Sequence, residues 1–116
     1  MTGDELAKLL ERGEITLLDV RTRAEYEGQT GYPCDPRQGH ISGAVNVELD
    51  ELYAAGPAVR GLLEERGADP GARVVAYCHS GSRSEIAAAL LRAAGLDATN
   101  YEGSWHEWSR REPSEP

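Results

Sequence analysis

The fold is decided by the stretch RVVAYCHSGSRS, residues 73–84. Its first five residues form a mostly apolar run, which predicts a short buried strand. A small polar loop follows, and Ser84 begins an amphipathic pattern that ends near Gly95, which predicts a helix with a glycine C-cap. The predicted apolar face of that helix comprises Ile86, Ala87, Leu90, Leu91 and Ala94. A strand that passes through a tight loop into a helix is typical of α/β folds, in which ligands bind beyond the carboxyl ends of the strands.

Three further apolar runs predict short strands at residues 15–18, 44–47 and 97–101. Helical patterns alternate with these runs, and this alternation is typical of a mostly parallel sheet covered by helices. We therefore expect an α/β protein with a mostly parallel central sheet of about five short strands and helices on both faces.

Two capping-box patterns predict where the first two helices begin. Thr2 stands three residues before Glu5, and Thr22 stands three residues before Glu25. The first of these helices should end at Gly13, because glycine readily adopts the left-handed conformation of a C-cap.

The length of 116 residues suits one domain. We expect that domain to occupy residues 1–111, followed by a disordered tail at residues 112–116, which read EPSEP. The net charge of −8 argues against nucleic acid or an anionic membrane as a partner. The chain has no apolar run of the roughly 18 residues that a membrane span needs, and its acidic start lacks the features of a signal peptide, so we expect a cytoplasmic protein.

Cys78 is the candidate nucleophile, because it lies where the predicted strand meets the predicted helix. Backbone amides at a helix start favour the thiolate over the thiol, and the guanidinium of Arg83 can fold over the same cavity. Gly81 relaxes the loop so that successive amides can form an anion-binding nest. The alternative interpretation is an inert buried cysteine, with Arg83 in a surface ion pair.

Four blocks in order make the chain resemble a rhodanese domain along nearly its whole length. The blocks are LLDVR at residues 17–21, GHISGAVN at 39–46, YCHSGSRS at 77–84 and YEGSWHEW at 101–108. The last block is similar to the ending of the catalytic half of tandem thiosulfate and mercaptopyruvate sulfurtransferases.

The resemblance implies a sulfurtransferase cycle without a metal or organic cofactor. Cys78 would take the outer sulfur of a small anionic donor, thiosulfate or mercaptopyruvate, and pass it from a persulfide to cyanide or a thiol. The residues implied in catalysis are Cys78 and Arg83. Those implied in substrate binding are His79, Ser80, Gly81, Ser82 and Trp105. Structural support would come from Asp19, Arg21 and His40, although a simple strand-end ion pair explains Asp19 and Arg21 equally well.

Two positions leave questions open. In the mammalian tandem enzymes, an arginine that binds substrate precedes the tyrosine matching Tyr26, whereas Glu25 stands at that position here. A second cationic anchor is therefore missing.

Cys34 is either a resolving thiol for Cys78 or an ordinary loop cysteine. The two cysteines lack the paired spacing of a zinc site, so we expect no metal.

Two other classes of function remain as alternatives. A related cysteine phosphatase or arsenate reductase would use a loop with five residues between cysteine and arginine, whereas four separate Cys78 from Arg83. A non-catalytic sulfur-carrier or regulatory module of the same family would commonly lack the cysteine. The assembly is expected to be a monomer or a homodimer, the latter if a partner covers a face that a missing tandem half would have covered.

Overall fold

A computed structural model describes residues 1–111, and its centre is a four-stranded sheet. The strands are β1 (Ile15–Asp19), β2 (Val45–Asn46), β3 (Arg73–Tyr77) and β4 (Ala98–Asn100). Their order is β2-β1-β3-β4, and every neighbouring pair is parallel. The predicted α/β class is confirmed, but the expected count of about five strands is too high for the described residues. Each of the four apolar runs forms one strand, and the remaining described segments form helices and connecting loops.

Helices connect the strands and cover the sheet. They are α1 (Gly3–Arg12), α2 (Arg23–Tyr26), α3 (Leu49–Ala55), α4 (Val59–Glu65), α5 (Ser82–Ala93) and α6 (Ser104–Trp108), with a short 3₁₀ turn at Gly56–Ala58. Both predicted capping boxes are confirmed, since the hydroxyls of Thr2 and Thr22 accept N–H bonds at the starts of α1 and α2. The expected disordered tail lies outside the described residues.

The two faces of the sheet are covered by different helices because side chains alternate along each strand. One face, with Leu18, Val74 and Ala76, packs against side chains of α3, α4 and α5. The opposite face packs against α1 and α6 through Leu17, Val75, Tyr77, Leu6, Trp105 and Trp108. Helices on both faces are therefore confirmed. Within residues 1–111 no helix combines the length and apolar character that a membrane crossing requires.

The buried face of α5 differs from the predicted one. The helix begins two residues earlier than expected, and Ile86 is 43% exposed. Its fully buried positions are Ser84, Ala87, Ala88 and Leu91, which follow the i, i+3, i+4, i+7 spacing of one helical face. A polar residue, Ser84, occupies the first inward position because it hydrogen bonds to the sulfur of Cys78. A prediction made from apolar residues leaves that serine out, and the predicted buried face is therefore turned around the helix axis relative to the observed one.

Strand register brings the ends of β1 and β3 together at one edge of the sheet. Asp19 is the register partner of Tyr77, and the Tyr77 hydroxyl donates to Asp19 Oδ2 at 2.8 Å. Cys78 follows directly after Tyr77. The register therefore places Cys78 at the carboxyl edge, where parallel α/β folds bind ligands.

Candidate active site

The loop between β3 and α5 surrounds the sulfur of Cys78 with hydrogen-bond donors. Cys78 Sγ accepts bonds from the backbone N–H of Gly81 at 3.1 Å, the N–H of Ser84 at 3.4 Å and the hydroxyl of Ser84 at 3.3 Å. Burial raises the pKa of the Cys78 thiol, but these donors and the N–H of Ser80 outweigh it, so the pKa lies below its ordinary value. The loop therefore favours the nucleophilic thiolate.

Gly81 is required by the shape of this loop. Its φ is 99°, a left-handed value, and a Cβ there would lie 2.7 Å from the carbonyl oxygen of Glu102. The Asn100 amide donates to the Gly81 carbonyl at 3.1 Å and holds the loop against β4. Glycine is thus the residue that allows the amides to turn toward Cys78.

The start of α6 anchors the other side of the loop. Ser104 Oγ accepts the N–H of Cys78 at 3.1 Å and donates to the Tyr101 carbonyl at 2.8 Å. The amides of Trp105 and His106 donate to the carbonyls of Cys78 and His79, both at 2.9 Å. Ser104 has a φ of 54°, which is uncommon for a non-glycine residue. These bonds fix the backbone that carries the nucleophile.

Ser84 and Ser104 were not among the site residues inferred from the sequence. Both are fully buried, and both hydrogen bond to Cys78, one at the sulfur and the other at the backbone. Their only sequence signal was their position inside two of the four rhodanese-like blocks. A small polar residue at a buried position becomes informative only when its partner is known.

Arg83 is engaged by Glu25. The Arg83 Nη1 atom lies 2.9 Å from Glu25 Oε1, and Nη2 lies 3.1 Å from Oε2. Burial would raise the pKa of Glu25, but Arg83 and Thr22 outweigh it and lower the pKa to about 2. The sequence suggested that Arg83 folds over the cavity of Cys78. In the structure it lines a cavity of about 340 Å³ with Glu25, Thr30, Gly31 and Tyr32, and its charge is balanced by a carboxylate.

The other predicted substrate-binding residues of the loop point to different surroundings. Ser80, Gly81 and Ser82 line a second cavity of about 480 Å³, shared with Glu102 among others. His79 lies instead beneath Tyr32, with ring centroids 3.7 Å apart, and its side chain is only 12% exposed. The structure therefore groups Ser80, Gly81 and Ser82 and separates His79 from them.

Trp105 is buried in packing contacts. Its ring is 3% exposed, its Nε1 donates to the Arg37 carbonyl at 3.0 Å, and the guanidinium groups of Arg21 and Arg37 lie over it. The amide of Trp105 bonds to the Cys78 carbonyl. Contact between its ring and a substrate stays a prediction.

The predicted supporting residues lie behind the site. Arg21 and Asp19 form a buried ion pair at 2.6 Å, and Arg21 also donates to the Gly39 carbonyl, which joins the end of β1 to the loop before β2. The His40 ring stacks on Tyr26, with centroids 3.7 Å apart, and its Nδ1 lies 2.7 Å from the Tyr26 carbonyl oxygen. These contacts link backbone segments around the site.

Cys34 is a free, exposed cysteine and is close to His79. Ligand atoms of Cys34, Asp35, His79 and His106 all lie within 4.8 Å of one another. Neither cysteine forms a disulfide in the described residues, since Cys78 is also free. Participation of Cys34 as a resolving thiol stays a prediction.

Comparison with known proteins places this geometry in a family. Residues 2–111 match the model of the Rhodanese-like domain. The putative thiosulfate sulfurtransferase SseB of Mycobacterium tuberculosis is 38% identical over 110 residues, covering 90% of this chain and 38% of SseB. The 3-mercaptopyruvate sulfurtransferase of Escherichia coli is 32% identical over 111 residues, covering 86% of this chain and 39% of that protein.

Solved structures agree with this assignment. A probable thiosulfate sulfurtransferase superposes with a TM-score of 0.76 at 45% identity, covering 95% of this chain and 44% of the other. The human single-domain sulfurtransferase TSTD1 superposes with a TM-score of 0.71 at 31% identity, covering 97% of this chain and 96% of that one. The chain belongs to the rhodanese-like domain family. It spans about two-fifths of the length of the curated relatives it matches, while matching TSTD1 over almost its full length.

Proposed function

We propose that this domain is a sulfurtransferase that carries sulfane sulfur as a persulfide on Cys78. The observation that carries the proposal is the set of three hydrogen bonds from Gly81 and Ser84 to Cys78 Sγ. Donors fixed on the sulfur stabilise negative charge there both before attack and when the thiolate leaves again. The names of the relatives, which include thiosulfate and 3-mercaptopyruvate sulfurtransferases, support this chemistry.

The first half-reaction moves one sulfur atom onto the protein. The Cys78 thiolate attacks the outer sulfur of thiosulfate, a sulfur–sulfur bond forms to Cys78, and the bond inside thiosulfate breaks. Sulfite leaves with the electron pair of that bond. In the second half-reaction, cyanide or a thiolate attacks the outer sulfur of the persulfide, and the Cys78 thiolate leaves. No proton or external electron is needed in the cyanide reaction, which is consistent with double-displacement catalysis by one nucleophile.

The Arg83–Glu25 pair bears on the choice of donor. Thiosulfate is a dianion, and the carboxylate of Glu25 offsets the positive charge that Arg83 would offer it. The loop amides then supply the main attraction for an anionic donor. The carboxylate of mercaptopyruvate carries a single charge, so Glu25 weakens the attraction of this donor less than that of thiosulfate. Both donors therefore belong in the proposal.

A phosphatase or arsenate reductase activity is less well supported. A phosphate group in such a loop needs a cation free to bind its oxygens, and the fork of Arg83 is engaged with Glu25 at both nitrogens.

The cytoplasm is the proposed compartment, since a free nucleophilic thiol persists in a reducing environment. The proposed assembly is a monomer or a homodimer.

The proposal is tested by following sulfite in a single turnover with thiosulfate and no acceptor. Wild type should release about one sulfite per chain, as covalent catalysis requires. Cys78→Ser should release none, and p-nitrophenyl phosphate should not be hydrolysed by either protein. Sulfite release that appears only when acceptor is added would contradict a persulfide intermediate, and phosphate release that depends on Cys78 would favour the phosphatase.

A further inference from the structure

A cluster of side chains of metal-ligating types lies beside Cys78 and supplies none of the donors to its sulfur. It consists of Cys34, Asp35, His79 and His106, whose ligand atoms lie within 4.8 Å of one another. Two of the four come from the loop between α2 and β2, one follows Cys78 and one lies in α6. A thiol, two imidazoles and a carboxylate are the ligand types that zinc and related divalent ions prefer.

The buried carboxylate of Asp35 points to a ligand in this cluster. Its side chain is fully buried, and Asp35 Oδ2 lies 2.9 Å from His79 Nε2. Despite that distance, neither atom makes a hydrogen bond of acceptable geometry with any described residue. A buried carboxylate oxygen without such a bond is costly, and an ion between the two atoms would satisfy both.

The spacing of the four atoms is close to that of a tetrahedral site. Bonds of about 2.0–2.2 Å to nitrogen and oxygen place neighbouring ligands roughly 3.3–3.6 Å apart. Asp35 Oδ2 and His79 Nε2, 2.9 Å apart, are slightly closer than that, and all four ligand atoms lie within 4.8 Å of one another, so small side-chain rotations would bring them onto one ion. Cys34 is exposed and can therefore turn inward, while His79 is held in place by its stack on Tyr32.

Arg110 is the competing cation, and its contacts determine which carboxylate oxygen is available. Its Nη1 donates to Asp35 Oδ1 at 3.0 Å and lies 3.3 Å from His106 Nδ1. Its Nη2 donates to the Cys34 carbonyl at 2.8 Å. The second carboxylate oxygen, Oδ2, is free of Arg110. His106 Nδ1 also lies 3.1 Å from Asp35 Oδ1, so both His106 and Arg110 engage that oxygen. The His106 side chain is 48% exposed and has room to turn toward an ion at Oδ2.

We propose that Cys34, Asp35, His79 and His106 form a binding site for a divalent transition-metal ion of the zinc class. The ion ties the loop that carries Cys34 to the residue after Cys78 and to α6. The lack of paired cysteines predicted no metal, whereas these four side chains come from three separate segments of the chain. Cys78 contributes no ligand, so the metal site and the persulfide can be tested separately.

Titration with Co²⁺ tests the site, because tetrahedral cobalt bound to a thiolate gives visible absorption that zinc abolishes on displacement. Wild type should bind one cobalt per chain and show the thiolate charge-transfer band. Cys34→Ser should lose that band, and His106→Gln should bind at least about tenfold more weakly. Zinc should also raise the melting temperature of wild type, as a ligand of the folded state does.

Two matched variants serve as controls. Cys78→Ser removes the other cysteine and His40→Gln removes the remaining histidine, and both should keep the cobalt spectrum of wild type. Retention of the band in Cys34→Ser, its loss in Cys78→Ser, or absence of cobalt binding by wild type would overturn the proposal. The persulfide is measured separately on Cys78, so failure of the metal site leaves that measurement unaffected.

Discussion

Arg83, in the helix that follows the Cys78 loop, forms a two-point ion pair with Glu25, with nitrogen–oxygen distances of 2.9 and 3.1 Å. The two residues are 58 positions apart in the chain. Glu25 also belongs to the capping box of α2, where it bonds to Thr22. The helix start and the arginine of the Cys78 loop are thus held by the same carboxylate, which affects both the choice of donor and the stability of the fold.

Neutralising Glu25 should improve the use of thiosulfate. In Glu25→Gln the amide can still cap α2, but Arg83 keeps its full positive charge for a dianion. We expect kcat/KM for thiosulfate to rise about fivefold, corresponding to a change on the order of 1 kcal/mol in attraction. The value for 3-mercaptopyruvate should rise less.

Glu27→Gln provides the matched control, since Glu27 pairs with Arg23 on the surface near the same helix. Glu27→Gln should leave kcat/KM for thiosulfate and for 3-mercaptopyruvate close to the wild-type values. An equal loss for both donors in Glu25→Gln would show that the carboxylate serves to position Arg83 and does not limit its charge.

The same carboxylate should make stability depend on acid pH. Folding lowers the pKa of Glu25 from 4.5 to about 2, so its contribution is fully present above pH 4.5 and is lost as the pH falls toward 2. We expect the free energy of unfolding of wild type to be larger than that of Glu25→Gln by on the order of 2–3 kcal/mol at pH 6. The difference should become progressively smaller below pH 4.5. Urea unfolding at several pH values measures this difference, and a difference that stays constant down to pH 2.5 would rule out the linkage.

Ser84 should tune the acidity of the nucleophile. Ser84→Ala removes one of the donors to Cys78 Sγ and leaves the backbone donors of Gly81 and Ser84 in place. We expect the pKa of the Cys78 thiol to rise above that of wild type, because a hydrogen bond that favours the thiolate is lost. The rate of iodoacetamide alkylation against pH, measured in a Cys34→Ser background, gives this value. An unchanged profile would mean that the backbone amides alone stabilise the thiolate.

Gly81 should tolerate no side chain. Gly81→Ala places a methyl group against the Glu102 carbonyl at a left-handed φ, so we expect a loss of about 2–3 kcal/mol in stability and of most activity. Gly61→Ala is the control, because a Cβ there meets open space inside α4 and should stabilise the helix by up to about 1 kcal/mol. Thermal unfolding of the two variants compares them directly. Equal stability would show that the loop relaxes around the methyl group.

The sequence located each of the four strands, although the expected number was too high, and it could not predict the contacts between distant segments. The apolar run of β3 and the capping box at Thr22 are local patterns, so they could be predicted. Glu25 could be recognised only as the residue standing where an arginine was expected. Its partnership with Arg83 depends on how α2 packs beside α5, which no local pattern encodes.

The same reason explains why buried polar residues were missed. Ser84 faces inward because the sulfur of Cys78 supplies its hydrogen-bond partner, while Ile86 faces outward despite being apolar. Asp35 meets His79 and His106 only after three segments converge at the carboxyl edge of the sheet. Hydrophobic periodicity predicts the apolar core, but it does not predict polar groups that are buried because they bind a specific partner.

The persulfide on Cys78 is tested most directly by the intact mass of the protein after treatment with thiosulfate or 3-mercaptopyruvate and removal of excess donor. Wild type and Cys34→Ser should each gain one sulfur, about 32 Da, and lose it again when cyanide is added. Cys78→Ser should gain nothing. A sulfur that appears on Cys78→Ser, or its absence from wild type with both donors, would contradict the assignment of Cys78 as the sulfur carrier.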